Sequence, residues 1–188
     1  MRKPIKAYLI TAPFLYPSSP LEFRKFYQNI LQKYKLDFAA YRDKTMQFDL
    51  RLIEIFLELN DAFGVVSLLN TDFTLACKFG FDGVHCNSMQ LDKIPEYKKQ
   101  LQYVFYSAHD MQSLEKADKN GANGITISPI FKTPNKGNPL GVDFLKRINP
   151  KDYQAEIFAL GGIISNDEIS ALKQTQIQNF ASIRYFLH

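Results

Sequence analysis

Two apolar runs of the chain end in side chains that can do chemistry. Gln102-Tyr-Val-Phe-Tyr-Ser107 leads at once into Ala108-His109, and Gly124-Ile-Thr-Ile-Ser128 leads into Pro129-Ile-Phe-Lys-Thr-Pro-Asn-Lys136. An imidazole such as His109 can give or take a proton near neutral pH. The hydroxyls of Ser107 and Thr133 and the ammonium of Lys136 are groups that bind phosphate oxygens. If the two runs are successive strands of one sheet, all four residues arrive at the same end of it. A small enzyme can hold a phosphorylated substrate beside a general acid/base in this way.

The elements that must position them alternate along the chain. Strand-like runs cover 7–11, 36–41, 64–69, 83–85, 102–107, 124–128, 157–160 and 179–183. Helical spacing of apolar residues covers 20–34, where Leu21, Phe23, Phe26, Ile30 and Leu31 recur, and also 50–60, 72–79, 110–119, 142–148 and 166–173. Short apolar strands alternating with helices predict a parallel sheet with helical crossovers. Eight repeats predict a closed (β/α)8 TIM barrel rather than an open doubly wound sheet. No linker or composition break divides residues 1–188, so a single domain is expected. The sequence stops at His188, five residues after the eighth run, which leaves no room for a final helix. A bare flank beside the apolar tail Tyr185, Phe186 and Leu187 suggests a homo-oligomer.

In such a barrel the site lies where strands end and βα loops begin. The polar residues there are Arg42 and Lys44, Asn70, His85, Ser107 and His109, then Ser128, Thr133, Asn135 and Lys136, with Gly161, Gly162 and Arg184 after the last two strands. Each has a plainer reading: loop charges for Arg42 and Lys44, a core histidine for His85, a helix cap for Ser107. Their common location raises them together. A glycine pair lets backbone approach a ligand without Cβ interference. A helix beginning near Asn166 would aim free N–H groups at that gap, and Arg184 would add a bidentate cation to the same anion.

Composition removes several classes. The net charge of +4 is spread along the chain, and Lys98-Lys99 sits between Glu96 and Gln100, so no nucleic-acid patch is expected. No apolar run approaches the ~18 residues of a membrane span, and the opening Met1-Arg-Lys-Pro-Ile-Lys6 has no secretion-signal core. The cytoplasm is therefore the expected compartment. Cys77 and Cys86 are expected to be reduced, buried thiols, and their spacing from the three histidines suggests no zinc site.

Six runs in order then match one family. They are Tyr41-Arg-Asp-Lys44, Asp82-Gly-Val-His85, Ser107-Ala-His109, Ser128 to Lys136, Pro139-Leu-Gly-Val142 and Ala159-Leu-Gly-Gly-Ile163. The chain resembles the thiamine-phosphate synthase/TenI family over nearly its whole length. The resemblance implies a thiazole phosphate ligand and two candidate activities. The synthase joins a pyrimidine pyrophosphate to thiazole phosphate and needs Mg²⁺, which prefers carboxylate oxygens. Where its pattern has two carboxylates this sequence has Thr71 and Gln90, with Asp72 as the one nearby substitute. Ala40 stands in place of a pyrimidine-binding Gln, and Asn135 in place of a Thr. The TenI-like tautomerase moves a proton within a thiazole phosphate carboxylate and needs no metal and no other cofactor. The resemblance therefore implies a metal-independent isomerase. His109 would be the general acid/base, the phosphate would sit on Gly161, Gly162 and Arg184, and Arg42, Lys44, Asn70, Ser107, Thr133 and Lys136 would face the substrate. The synthase, with Mg²⁺ on Asp72, is the alternative, and a barrel that only binds a phosphorylated ligand is a third reading.

Overall fold

A computed structural model describes residues 4–188. The expected absence of a secretion signal turns partly on residues 1–3, which lie outside that range. Eight strands, β1 (Ala7–Ile10), β2 (Phe38–Tyr41), β3 (Val66–Asn70), β4 (Gly83–Cys86), β5 (Tyr103–Ala108), β6 (Gly124–Ile127), β7 (Glu156–Leu160) and β8 (Phe180–Ser182), close into one barrel in sequence order. Every neighbouring pair is parallel, including β8 against β1, where Tyr8 registers with Ala181. The (β/α)8 expectation holds. Around it lie α1 (Pro20–Lys33), α2 (Leu50–Phe63), α3 (Phe73–Phe79), α4 (Ile94–Tyr97), α5 (Met111–Lys119), α6 (Val142–Lys146) and α7 (Asn166–Leu172).

The strands read as unbroken apolar runs because both of their faces are covered. Leu9, Ala39, Tyr41, Leu69, Val84, Val104, Tyr106, Ile125 and Ile157 point outward into the layer beneath the helices. Tyr8, Ile10, Phe38, Ala40, Leu68, Phe105, Phe158 and Ala181 point inward and fill the barrel. Phe38, Phe105 and Phe158 pack edge-on and tilted at centroid distances of 4.9–5.7 Å, so the lower barrel is a solid aromatic plug. Whatever binds must do so at the upper end.

The helices follow from local signals. Asp49 caps α2 by accepting from the Arg51 N–H, and Gly64, at φ 66°, ends it in the left-handed conformation. Leu52, Ile53, Phe56, Leu59 and Asn60 recur at helical spacing and are the buried face of α2.

Three expectations change. Between β4 and β5 the chain forms a 3-10 turn, Ser88–Lys93, and the short α4, neither of which the apolar pattern announced. Cys86 is buried but Cys77 is exposed on α3. The apolar tail folds back on its own barrel as a 3-10 turn, Tyr185–Leu187. Phe186 is buried and its ring meets Phe180 and Tyr34 at 5.7 and 5.4 Å. The carbonyl of His188 accepts from Lys33 and Tyr34. Phe186 is thus covered by the chain itself, while Tyr185 and Leu187 stay half-buried. No described helix is long and apolar enough to cross a membrane.

Candidate functional site

Side chains alternate along a strand, so the inward row continues upward in steps of two. Two residues above Ala40, Leu68 and Phe105 stand Arg42, Asn70 and Ser107, and His109 follows Ser107. Above the inward Phe158 and Ala181 stand Leu160 and Ile183, which pack on the inner cluster with Ile10. The mouth is therefore polar along β2 to β6 and apolar along β7, β8 and β1. A ring can rest on one arc while charged groups meet the other.

His109 is exposed, and its Nδ1 lies 2.8 Å from the carbonyl oxygen of Ser128. A carbonyl can only accept, so Nδ1 carries the proton and Nε2 is left as the free basic nitrogen. The next residue, Asp110, caps α5 by accepting from the Ser113 N–H at 2.7 Å. That bond, the Ser113 hydroxyl and the neighbouring His109 hold its carboxyl below the usual range. Asp110 is thus committed to the helix, and the titratable group offered to a ligand is the imidazole.

Cations gather at the same mouth. Arg42 is half-buried after β2, and its backbone N–H donates to Thr11. Asp43, between Arg42 and Lys44, accepts through Oδ1 from the backbone and hydroxyl of Thr45 and makes no ion pair with either cation among the described residues. Repulsion from Arg42, some burial, and repulsion from Lys136 lower the pKa of Lys44. Three cations from the β2 and β6 loops sharing one field make a site for a highly charged anion. Thr133 stands between them and the glycine pair, its hydroxyl donating to the Phe131 carbonyl at 3.0 Å.

Gly161 and Gly162 have φ of 95° and 70°. A Cβ on Gly161 would come within 2.8 Å of the Pro129 Cα, and one on Gly162 within 2.6 Å of the Lys132 carbonyl. Glycine is required here twice over, for the dihedral and for the approach of the β6 loop. The expected open helix terminus is not found. The Glu168 carboxylate accepts from the N–H groups of Ile164 and Ser165, and Ser165 accepts from Asp167, which together form a capping box. The N–H groups of Ile164, Ser165 and Asp167 are therefore already taken, and the first turn carries the acids Asp167 and Glu168, which disfavour an anion there. Arg184 is exposed, with its backbone N–H on Ser182 and no ion pair to its guanidinium among the described residues.

The corner between β3 and β4 is different in kind. Gln90 donates from its side chain to the Thr71 carbonyl at 2.8 Å and accepts from the Asn87 N–H at 3.1 Å. Asp72 accepts from the Leu75 N–H as the cap of α3. The two neutral residues close the corner on themselves, and Asp72 is engaged through Oδ1 with a helix end. Mg²⁺ takes oxygen ligands with carboxylates among them, and this donor set does not fit it. Among the described residues no group of three His, Cys, Asp or Glu could hold a metal.

Sequence reading missed Tyr8 and Thr126. Both lie inside the barrel with His85, whose Nδ1 is 2.5 Å from the Tyr8 hydroxyl and whose Nε2 is 2.9 Å from Ser107 Oγ. The core reading of His85 is the one found, although its partners are side chains rather than backbone. A tyrosine inside an apolar strand is the signal that could have exposed the pair, since a buried phenol needs a partner.

Residues 7–186 match the family model described as thiamine monophosphate synthase. The chain belongs to this family. A putative thiamine-phosphate synthase 2 of Aquifex aeolicus is 32% identical over 69% of this chain and 70% of its own length. The thiamine-phosphate synthase of Lactococcus lactis is 27% identical over 86% of this chain and 80% of its own. Among solved structures, the thiamine phosphate pyrophosphorylase of Pyrococcus furiosus superposes with a TM-score of 0.78 at 19% identity, covering 95% of this chain and 85% of that one, a likeness of fold. The matched span of the thiamine monophosphate synthase family takes in His109, the three cations and both glycines.

Proposed function

We propose that residues 1–188 form one domain with one catalytic site, which acts on a thiazole phosphate in thiamin biosynthesis. What supports this is the shared field of Arg42, Lys44 and Lys136 at the mouth, with the close-packed glycine pair Gly161 and Gly162 and the exposed Arg184 after β7 and β8; we read these as two anion grips. Two grips suit two phosphorylated partners. The names of the relatives support the transferase, in which a pyrimidine pyrophosphate is joined to thiazole phosphate. In that reading Arg42, Lys44 and Lys136, with Ser107 and Thr133, hold the pyrophosphate as it leaves. Asn70 borders the incoming ring, and the apolar arc of Leu160, Ile183 and Ile10 excludes water from the cation-like centre.

A second reading, metal-independent isomerisation, rests on the β3–β4 corner, where Thr71 and Gln90 offer Mg²⁺ no carboxylate. Two grips also suit one molecule with phosphate at one end and carboxylate at the other. His109 Nε2 would then take a proton from one position of the thiazole and return it at another, leaving the enzyme unchanged.

One assay separates them. Pyrimidine pyrophosphate and thiazole phosphate are supplied with and without Mg²⁺, beside a non-aromatic thiazole phosphate carboxylate alone. Joined product supports the transferase, and aromatisation without joining supports the isomerase. Binding without either turnover sinks both in favour of a barrel that only binds.

A further inference from the structure

A buried line of hydrogen bonds runs up the barrel to the mouth. Tyr8 Oη meets His85 Nδ1 at 2.5 Å, and His85 Nε2 meets Ser107 Oγ at 2.9 Å and Thr126 Oγ1 at 3.5 Å. Tyr8, His85 and Thr126 are no more than 2% exposed, and the Tyr8 and His85 rings stack at 5.6 Å. Burial, and then the Arg42 cation, pull the His85 imidazole down to about 3, so it is neutral at any working pH and carries one proton.

Which nitrogen carries it follows from the partners. Tyr8 is wholly buried, and His85 Nδ1 is its hydroxyl's one hydrogen-bond partner among the described residues. If Nδ1 donated, the phenol proton would be stranded in an apolar barrel, which costs about 1–3 kcal/mol. Thr126 points the same way. Its single hydroxyl proton goes to the Tyr106 carbonyl at 3.4 Å, so towards His85 it can only accept. Tyr8 therefore donates to Nδ1, and Nε2–H donates to Ser107. The Ser107 oxygen is occupied from below, and its own proton has no acceptor among the described residues.

We propose that Tyr8 and His85 are positioning residues that fix the Ser107 hydroxyl as a hydrogen-bond donor to an acceptor-only oxyanion of the substrate. The identity of that oxyanion as a substrate phosphate rests on the function proposed above, whereas the tautomer does not.

Long-range proton–nitrogen NMR on the full chain reads the tautomer directly, and inorganic pyrophosphate followed by calorimetry serves as the oxyanion probe. His85 is expected as the Nε2–H form. Ser107→Ala and His85→Phe should each weaken pyrophosphate binding about tenfold, the loss of one charge-assisted hydrogen bond. His85→Gln, which keeps a donor near the Nε2 position, should restore most of the affinity. An Nδ1–H tautomer in the wild type overturns the proposal, as does Ser107→Ala binding as tightly as the wild type. Should His85→Phe fail to fold, the wild-type spectrum and Ser107→Ala still decide. A wild type that ignores pyrophosphate while showing Nε2–H keeps the relay and removes the ligand reading.

Discussion

The β3–β4 corner and the β6–β7 corner of the barrel mouth do opposite things with their polar groups. At the first, the Gln90 side chain bonds the Thr71 backbone and Asp72 serves a helix end, so the corner is closed upon itself. At the second, Gly161 and Gly162 bring bare backbone against the β6 loop, and the His109 imidazole is anchored through Nδ1 with Nε2 left over. Polar groups that satisfy one another cannot also meet a ligand. The function proposed above therefore assigns the chemistry to the corner whose hydrogen bonds are incomplete.

The sharpest break of that contrast is His109→Ala. Losing a positioned general acid/base removes on the order of 10²–10⁴ in rate. The glycine corner and the cations are untouched, so calorimetry should still record binding of thiazole phosphate. Turnover equal to the wild type would take His109 out of the chemistry and leave the contrast purely structural.

Next in size is the pH response of the interior between the corners. The folded pKa of His85 lies near 3 and the unfolded value near 6.5, so between those limits the unfolded chain binds more protons than the folded one. Stability therefore falls as pH drops from about 6.5 towards 3, at a limiting slope of about 1.4 kcal/mol per pH unit. Denaturant midpoints measured from pH 7 to pH 4 should show this slope, and His85→Gln should flatten it. An equal slope in both proteins would assign the acid sensitivity to other groups.

Gly162→Ala should come third. At φ 70° an alanine is strained by about 1–2 kcal/mol, and its Cβ would meet the Lys132 carbonyl and Phe131 backbone, which must shift. A lowered melting temperature with weakened phosphate binding is expected. Lowered stability with unchanged binding would make the pair a turn and nothing more.

The barrel was legible in the sequence because parallel strands buried on both faces show up as short apolar runs, and no rearrangement of partners changes that. The shared end of the barrel was legible for Ser107, which lies in such a run, for His109, which follows it, and for Arg42, Lys44 and Lys136 in the loops beyond two others. The 3-10 turn and α4 were not, since Pro95 and the polar stretch around Gln90 and Asp92 break any helical period. The bond between Tyr8 and His85 was not, because it crosses the barrel between residues 77 apart. The closed terminus of α7 had its signal in Ser165-Asn-Asp-Glu168, a capping box whose glutamate fills the place an anion would need.

The smallest effect tests the closed corner. Thr71 sits at φ 66°, a conformation that Asn adopts readily and a β-branched residue rarely does. Its hydroxyl donates to the neighbouring Asn70 carbonyl at 2.7 Å, and its carbonyl accepts from Gln90. Thr71→Asn keeps the backbone carbonyl that Gln90 needs and relieves the side-chain strain. It should stabilise the fold by about 1 kcal/mol with no change in turnover, read from urea midpoints and the same two assays. A change in turnover would mean that this corner reaches the substrate after all, and the division between a closed and an open corner would have to be redrawn with Thr71 on the open side.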